Sequence, residues 1–250
     1  MLRYFISLLF VACFFVGWSQ ENTIDLNPKD TVVYKQPYGI RFGIDLSRLG
    51  ITAMNDNYTG FEAVGDYRLS QKFYAAAELG NEKKTKQEDV LNFTASGSYI
   101  KLGFDYNTYE NWYGMNNAIH IGSRLAFSSF SQTLNSYSIF ERNRYWSPDT
   151  FFPVASDPKS FDGLSAVWIE FVMGTKVELF SNIYMGVSVR LGLLLSNTQP
   201  ENFTNLWIPG FNKVTDESNF GVGFNYTLTY LLPLYKKAKP PKIEEVKETP

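Results

Sequence analysis

Apolar side chains alternate with polar or small ones, at a period of two residues, along at least six segments of this chain. Successive side chains of a β-strand leave opposite faces of the pleat, so this period predicts strands. The polar positions carry full charges where a soluble sandwich would have a second apolar layer, which favours a transmembrane β-barrel. The clearest segment is 39–48, with Ile40, Phe42, Ile44 and Leu46 on one face and Arg41, Gly43, Asp45 and Ser47 on the other.

The two ends of the chain predict export and a barrel between flanking segments. Residues 1–19 are typical of a signal peptide, with Arg3 before a short apolar run and Ser19 at a small-residue cleavage site. A lipoprotein signal at Cys13 is a weaker alternative. We expect a periplasmic segment over 20–37, the barrel over 38–235, and a disordered periplasmic tail over 236–250, which is rich in Pro, Lys and Glu.

Composition limits the classes of function. The net charge of −2 and the lack of a long basic run argue against nucleic acid as a partner. Aromatic residues make up 17% of the chain, as suits strands with interfacial girdles. If the signal peptide is cleaved after Ser19, no cysteine remains for disulfide or thiol chemistry.

The alternation predicts eight antiparallel strands. Short linkers follow the second, fourth and sixth, so those turns and both termini are expected in the periplasm, with the longer loops 50–59, 81–91, 131–163 and 197–219 outside. A phase change in the fourth strand predicts a bulge near Gly97 to Tyr99. The predicted strands are 38–49, 60–69, 73–80, 92–106, 118–130, 164–180, 185–195 and 220–232.

The inward faces carry charges of both signs in nearly equal number. An eight-stranded barrel is just wide enough for side chains to fill it, and an isolated buried ion is costly. We therefore expect a charged, side-chain-filled interior that is closed by ion pairs; a proton or solute relay remains the alternative. The predicted lumen network is Arg41, Asp45, Glu62, Asp66, Arg68, Glu78, Lys101, Asp105, Arg124, Glu170, Lys176, Glu178 and Arg190.

Catalytic and metal-binding patterns are weak. His120 is the single histidine, so a multi-histidine metal site is not expected, and no cofactor is indicated. A catalytic His120 beside Asp105 or Ser123 is a disfavoured alternative.

Two predicted outer loops are rich in aromatic residues. Such clusters mark either a surface for a partner or loops that pack together and cap the barrel, and the sequence leaves both open. The candidate contact residues are Tyr145, Trp146, Phe151, Phe152, Trp207, Ile208 and Phe211.

Four segments resemble a family of small outer-membrane barrels that is labelled a domain of unknown function: 39–48, 60–68, 131–135 and 220–226. The resemblance implies a fold and supplies no catalytic residues. We expect a non-enzymatic outer-membrane barrel in contact with the lipid bilayer, acting as an accessory or scaffold subunit of an envelope complex. Its partner would be an outer-membrane protein or lipoprotein, including the barrel-assembly machinery. A small-solute pore is the first alternative, and a lipid-modifying enzyme the second.

Overall fold

The computed structural model describes residues 35–87, 91–109, 116–140, 151–154, 158–200, 204–213 and 219–238. The predicted signal peptide therefore lies outside the described residues, as do 20–34 and 239–250. No helix among the described residues has the length and apolar character needed to cross a membrane. The elements are β1 (Lys35–Asp45), α1 (Leu46–Met54), β2 (Tyr58–Arg68), β3 (Phe73–Gln87), β4 (Leu91–Asn107), β5 (Ala118–Phe140), β6 (Phe151–Val154), β7 (Lys159–Phe180), β8 (Ile183–Asn197), β9 (Trp207–Ile208), β10 (Asn212–Lys213) and β11 (Phe220–Ala238).

Eight long antiparallel strands close into a ring. Around it the order is β1, β2, β3, β4, β5, β7, β8 and β11, and β11 pairs with β1 again. The short β6 pairs with the end of β5, and β9 and β10 form a separate two-stranded sheet. Closure gives each long strand a neighbour on both sides. The predicted all-β antiparallel arrangement is confirmed.

The outside of the ring is apolar over what we call the lower section, which includes the short turns 69–72 and 181–182. On β4, Leu102 is 54% exposed and the adjacent Lys101 is 1% exposed. The alternation follows from the pleat of the strand. The outward apolar side chains, here called the apolar belt, include Ile40, Phe42, Phe61, Phe73, Leu79, Ile100, Leu102, Phe104, Ile119, Leu125, Phe127, Ile169, Phe171, Met173, Val187, Val189, Leu191, Leu193, Val222, Phe224, Leu228 and Leu232.

The polarity of the strands reverses in the upper section, at the opposite end of the ring. On β5 the outward side chains change from Leu125 and Phe127 to Ser129 and Ser131, while the inward Phe130 is buried. We use the name polar face for thirteen outward polar side chains of this section: Thr59, Asn81, Lys83, Thr85, Asn92, Thr94, Ser96, Ser98, Ser129, Ser131, Thr133, Asn135 and Ser165.

The reversal explains why the predicted bulge in β4 is wrong. The pairing of β3 with β4 runs without a shift through Gly97 to Tyr99, and the register shift of β4 against β5 lies at Asn92 and Phe93. Phe93 and Tyr99 are buried on the same face as Lys101. The phase of the strand is constant, and only the chemistry of its two faces changes.

The same reversal places predicted loops inside strands. The segments 81–91 and 131–163 were expected to be loops, but β3 continues to Gln87, β4 starts at Leu91, β5 continues to Phe140 and β7 starts at Lys159. Once serine, threonine and asparagine occupy the outward positions, the apolar signal used to define the strands disappears. At the other end, β1 starts at Lys35 and β11 ends at Ala238, so the ladder extends three residues past each predicted barrel boundary.

The first strand is shorter than predicted, because the chain turns into α1 after Asp45. Asp45 is the N-cap of this helix, and its Oδ1 accepts a hydrogen bond from the Ser47 backbone N at 2.9 Å. The predicted outward strand position of Leu46 is therefore wrong. The turn of the helix directs Arg48 into the ring, where it is buried.

Candidate functional site

A continuous network of ion pairs crosses the interior of the lower section. Glu78 of β3 binds two arginines from strands that do not pair with β3: its Oε1 lies 3.1 Å from Arg124 Nε and 3.0 Å from Arg190 Nη2. All three side chains are at most 7% exposed. Because Arg124 belongs to β5 and Arg190 to β8, one carboxylate connects three strands that are not neighbours of one another.

Two aspartates extend the network toward the lower end. Asp66 accepts from Arg41 Nε and from Lys176 Nζ, each at 2.7 Å. Lys176 Nζ also lies 3.6 Å from Asp105, whose Oδ1 is 2.7 Å from Arg124 Nη1. Each of these buried carboxylates therefore faces two cations, which compensate the cost of removing its charge from water.

A third group extends the network upward through Glu170. This carboxylate lies 3.0 Å from Lys101 Nζ and 3.2 Å from Arg190 Nη1, and it accepts a hydrogen bond of 2.7 Å from Trp168 Nε1. Lys101 Nζ is also 4.0 Å from Glu62. The lysine thus joins the lower network to the polar groups above it.

The upper end of the network contains residues that the sequence did not indicate. Arg48 Nη1 lies 2.8 Å from Glu82 Oε1, and Tyr99 donates its hydroxyl to Glu62, which also accepts from the Asn225 amide. Glu82 lies just beyond the predicted end of its strand at Gly80, on the same face as Glu78. Extending the alternation of the third predicted strand by two residues would have placed Glu82 on the inward face. For Arg48 the available signal was Asp45, a residue type that favours a helix N-cap and thus a turn of the chain before Arg48.

The network leaves little empty space among the described residues. Three interior voids along it measure about 30, 10 and 10 Å³. A void needs about 10–15 Å³ to hold one water molecule, so even the largest holds only a few. Since the surrounding groups are charged and paired, the interior of the lower section is a filled core.

Two of the predicted network residues lie apart from it, at the lower end. Arg68 donates to Gln36 Oε1 at 2.6 Å and its guanidinium carbon lies 4.4 Å from the Tyr38 ring centroid. Glu178 is half-buried and accepts from the Asn182 backbone N at 3.2 Å. The structure brings the remaining predicted residues together: Arg41, Asp45, Glu62, Asp66, Glu78, Lys101, Asp105, Arg124, Glu170, Lys176 and Arg190.

The predicted contact residues of the last outer loop lie in a segment that caps the ring. Ile208 is 0% and Phe211 4% exposed, and Trp207 is half-buried. They therefore occupy the upper mouth of the ring, the placement described by the capping alternative. Tyr145 and Trp146 lie outside the described residues, as do the side chains of Phe151 and Phe152 in β6.

Hydrogen bonds to buried side chains hold residues 204–213, here called the capping segment, in place. Glu82 accepts from the Gly210 backbone N at 3.1 Å, and Gln132 binds both the Leu206 N and the Thr204 carbonyl at 3.2 Å. Gly210 has φ +83°, and a Cβ there would stand 2.6 Å from the Tyr99 ring. Glycine is therefore required at this contact.

Phe211 is the apolar centre of the cap. Its ring lies 5.7 Å from the Trp168 ring at 67°, an edge-to-face contact. The paired glycines Gly192 and Gly221 leave room for it, since a Cβ on either would come within 3.0 Å of the ring. The core around it consists of Tyr99, Ala126, Phe130, Leu164, Ala166, Trp168, Leu194, Ile208 and Phe211.

His120 lies inside the lower section beside the ion pairs. Its Nε2 is 4.0 Å from Asp105 Oδ2, and the ring is 5% exposed. Ser123 is an odd number of residues away on the same strand, so its hydroxyl leaves the opposite face. Within the described part of the chain, no group of three or more His, Cys, Asp and Glu is arranged to hold a metal ion.

The fold and its interior define a class of structure: a closed antiparallel ring, filled by ion pairs in the lower section and mainly by apolar side chains, beside the Arg48–Glu82 pair, in the upper one. The chain belongs to the family described as "Domain of unknown function (DUF6048)", whose model matches residues 1–237. No curated protein and no solved structure matches it.

Proposed function

We propose that this protein is an integral outer-membrane β-barrel whose apolar belt contacts lipid. The observation that carries the proposal is the reversal of polarity along single strands. An outward Leu125, 58% exposed, and an outward Ser129 on the same face of β5 suit different surroundings. Hydrocarbon around the lower section and water around the upper section account for both, because apolar surface avoids water and polar groups avoid hydrocarbon.

The height of the belt is consistent with a bilayer. On β8 the outward apolar positions run from Met185 to Leu195, which matches the about 9–11 residues that a tilted strand needs to cross. The belt continues onto neighbouring strands through cross-strand pairs such as Leu102 with Leu125. A patch of this extent on a water-soluble monomer would be far larger than is usual.

We further propose that the barrel is sealed and non-enzymatic, and that it acts as an accessory or scaffold subunit of an envelope complex. The ion pairs around Glu78 and the cap around Phe211 support closure, because together they leave no wide passage among the described residues. The partner would be an outer-membrane protein or a lipoprotein, such as a component of the barrel-assembly machinery.

Site-specific labelling in intact membranes tests the membrane part of the proposal. Single cysteines replace Val189 and Phe224 in the belt, Ser96 on the polar face, and the inward Val172. A reagent dissolved in the hydrocarbon phase is expected to label Val189→Cys and Phe224→Cys, whereas a membrane-impermeant reagent labels Ser96→Cys. Hydrocarbon-phase labelling of Val172→Cys with sparing of Val189→Cys would mean that the faces are assigned in reverse.

Two further measurements test the role of the barrel. Gentle solubilisation and affinity capture should recover a stoichiometric envelope protein, and recovery of this chain alone would refute the scaffold role. In planar bilayers the purified protein should show no steady conductance. Steady conductance that persists in a well-folded preparation would instead establish a pore.

A further inference from the structure

We propose that the polar face is a binding surface for the saccharide headgroups of glycolipids in the outer leaflet. This inference rests on the proposed function, since it places the polar face directly above the hydrocarbon. The row Leu79, Ile100 and Phe127 is the last apolar row on three paired strands, and Asn81, Ser98 and Ser129 form the next outward row. Two strand residues separate the rows, a rise of about 7 Å.

The chemistry of the polar face is unusual for a surface in contact with water alone. Freely solvated surfaces carry about 25–35% charged side chains. On β3, β4 and β5 the outward positions above the belt are alternate residues of 81–87, 92–98 and 129–135. Among these positions only Lys83 is charged, and the other side chains bear hydroxyl or amide groups. Hydroxyl and amide groups both donate and accept hydrogen bonds, as sugar hydroxyls do.

The side chains of the polar face are ordered by bonds to one another. The Asn81 amide donates to Ser98 at 2.9 Å, and the Thr85 and Thr94 hydroxyls are also 2.9 Å apart. The Asn135 amide donates to Asn92 and to Thr94 at 2.9 and 3.0 Å. Because these groups are already held in place on a sheet, little side-chain conformational entropy is lost when a ligand binds to them.

Other occupants fit this surface less well. A protein partner would need an apolar or aromatic centre, and these outward positions of β3, β4 and β5 have none. A phosphate headgroup would favour several cations, whereas Lys83 is the one cation at these outward positions, and the neighbouring Lys84 lies over the Trp207 ring. A saccharide that is anchored in the adjacent leaflet matches both the composition and the height.

Lipid titration of the detergent-solubilised full-length protein tests the inference. The probes are lipopolysaccharide with its complete saccharide, phosphatidylglycerol, and the free saccharide released from the same lipopolysaccharide, with binding followed by native mass spectrometry. We expect binding of lipopolysaccharide in preference to the other two. The variant Thr94→Val/Ser129→Ala should bind it about tenfold more weakly, because two hydroxyl contacts are lost.

A matched double variant tests whether the position of the lost hydroxyl groups, and not only their number, matters for binding. Ser123→Ala/Thr175→Val removes one serine and one threonine hydroxyl from the outward face of the belt, and it should bind like the natural protein. Lys83→Gln should also change binding less than twofold. A strong effect of Lys83→Gln, or equal binding of phosphatidylglycerol, would show that charge and not sugar is recognised.

The remaining outcomes separate this inference from the proposed function. Equal affinity of the two double variants, or free saccharide bound as tightly as lipopolysaccharide, overturns the inference while leaving a membrane barrel in place. Before solubilisation, the membranes that contain each protein are treated with alkaline carbonate, which an integral membrane protein resists. Extraction by carbonate would refute the membrane proposal itself, whatever the lipid titration gives.

Discussion

The lower and upper sections of the ring use the same strands with opposite polarity. On β4, Lys101 lies inside and Leu102 outside in the lower section, whereas Ala95 lies inside and Thr94 outside in the upper section. The backbone is continuous and its phase does not change between them. The comparison teaches that the two sections differ inside as well as outside. Ion pairs fill the lower interior behind an apolar surface, and apolar packing beside the Arg48–Glu82 pair fills the upper interior behind a polar one.

The two interiors should respond differently to substitution. In the lower section, removal of one partner leaves other buried ions uncompensated, so the cost exceeds that of a single contact. In the upper section, removal of an apolar side chain costs its transfer energy and that of the remaining cavity. The difference between these mechanisms sets the order of the effects expected below.

Removal of the central carboxylate of the lower network should have the largest effect. Glu78→Leu leaves Arg124 and Arg190 without their shared partner, and we expect a loss of about 3–5 kcal/mol in the free energy of unfolding. Chemical denaturation in lipid vesicles measures it. Glu178→Leu, at the half-buried lower end, is the control and should lose far less. Equal losses would show that the lower interior is not organised around Glu78.

Truncation at the centre of the cap should be next in size. Phe211→Ala leaves a cavity where the phenylalanine ring packs over Gly192 and Gly221. We expect a loss of about 3 kcal/mol in the free energy of unfolding. This is near the low end for a buried phenylalanine, because the capping segment can partly fill the cavity. Denaturation in vesicles measures this loss as well. Phe211→Leu retains more of the contact and should lose less. If Phe211→Ala is neutral, the cap does not contribute to the stability of the upper section.

A pair of arginine substitutions should locate the boundary between the sections. Leu102 and Ser96 both point outward from β4, in the belt and on the polar face respectively. Arginine in the belt near the bilayer midplane should cost about 2–4 kcal/mol and arginine near the water about 0–1 kcal/mol. We therefore expect Leu102→Arg to destabilise the folded protein in vesicles and Ser96→Arg to leave it nearly unchanged. If Leu102→Arg and Ser96→Arg destabilise the protein equally, no boundary between lipid and water lies between these two positions.

The lower section could be predicted from the sequence more fully than the upper one. The faces of residues such as Asp66 and Arg190 follow from alternation, because a charge against an apolar neighbour gives strong contrast. Their ion-pair partners could not be assigned, since pairing across the ring depends on stagger and side-chain reach. Arg68 and Glu178 share the right face but lie too near the lower end to join the network.

The faces of the upper strands could not be assigned from the sequence, because their outward side chains are polar and their inward side chains mostly apolar. A buried Phe93 or Tyr99 reads as an outward residue when apolar side chains are assumed to face outward throughout, which produced the bulge predicted in β4. Ile208 and Phe211 lie in a loop by sequence, and their burial depends on contacts such as that of Gly210 with Glu82, far away in the chain. Such long-range contacts have no local signal.

The smallest expected effects compare threonine with valine at one outward position in each section. Thr85→Val keeps the shape of the side chain but removes the hydroxyl contact with Thr94, and we expect a loss of about 0.2–1 kcal/mol in the free energy of unfolding. Val189→Thr places a hydroxyl in the belt and should cost about 0.5–2 kcal/mol, as for a polar group moved from water into partly compensating surroundings. Each section should thus prefer the residue that it has, as measured by denaturation in vesicles. A gain of stability from Thr85→Val would mean that an apolar environment covers the polar face, because in water an outward valine at that position brings no burial to offset the lost hydroxyl contact.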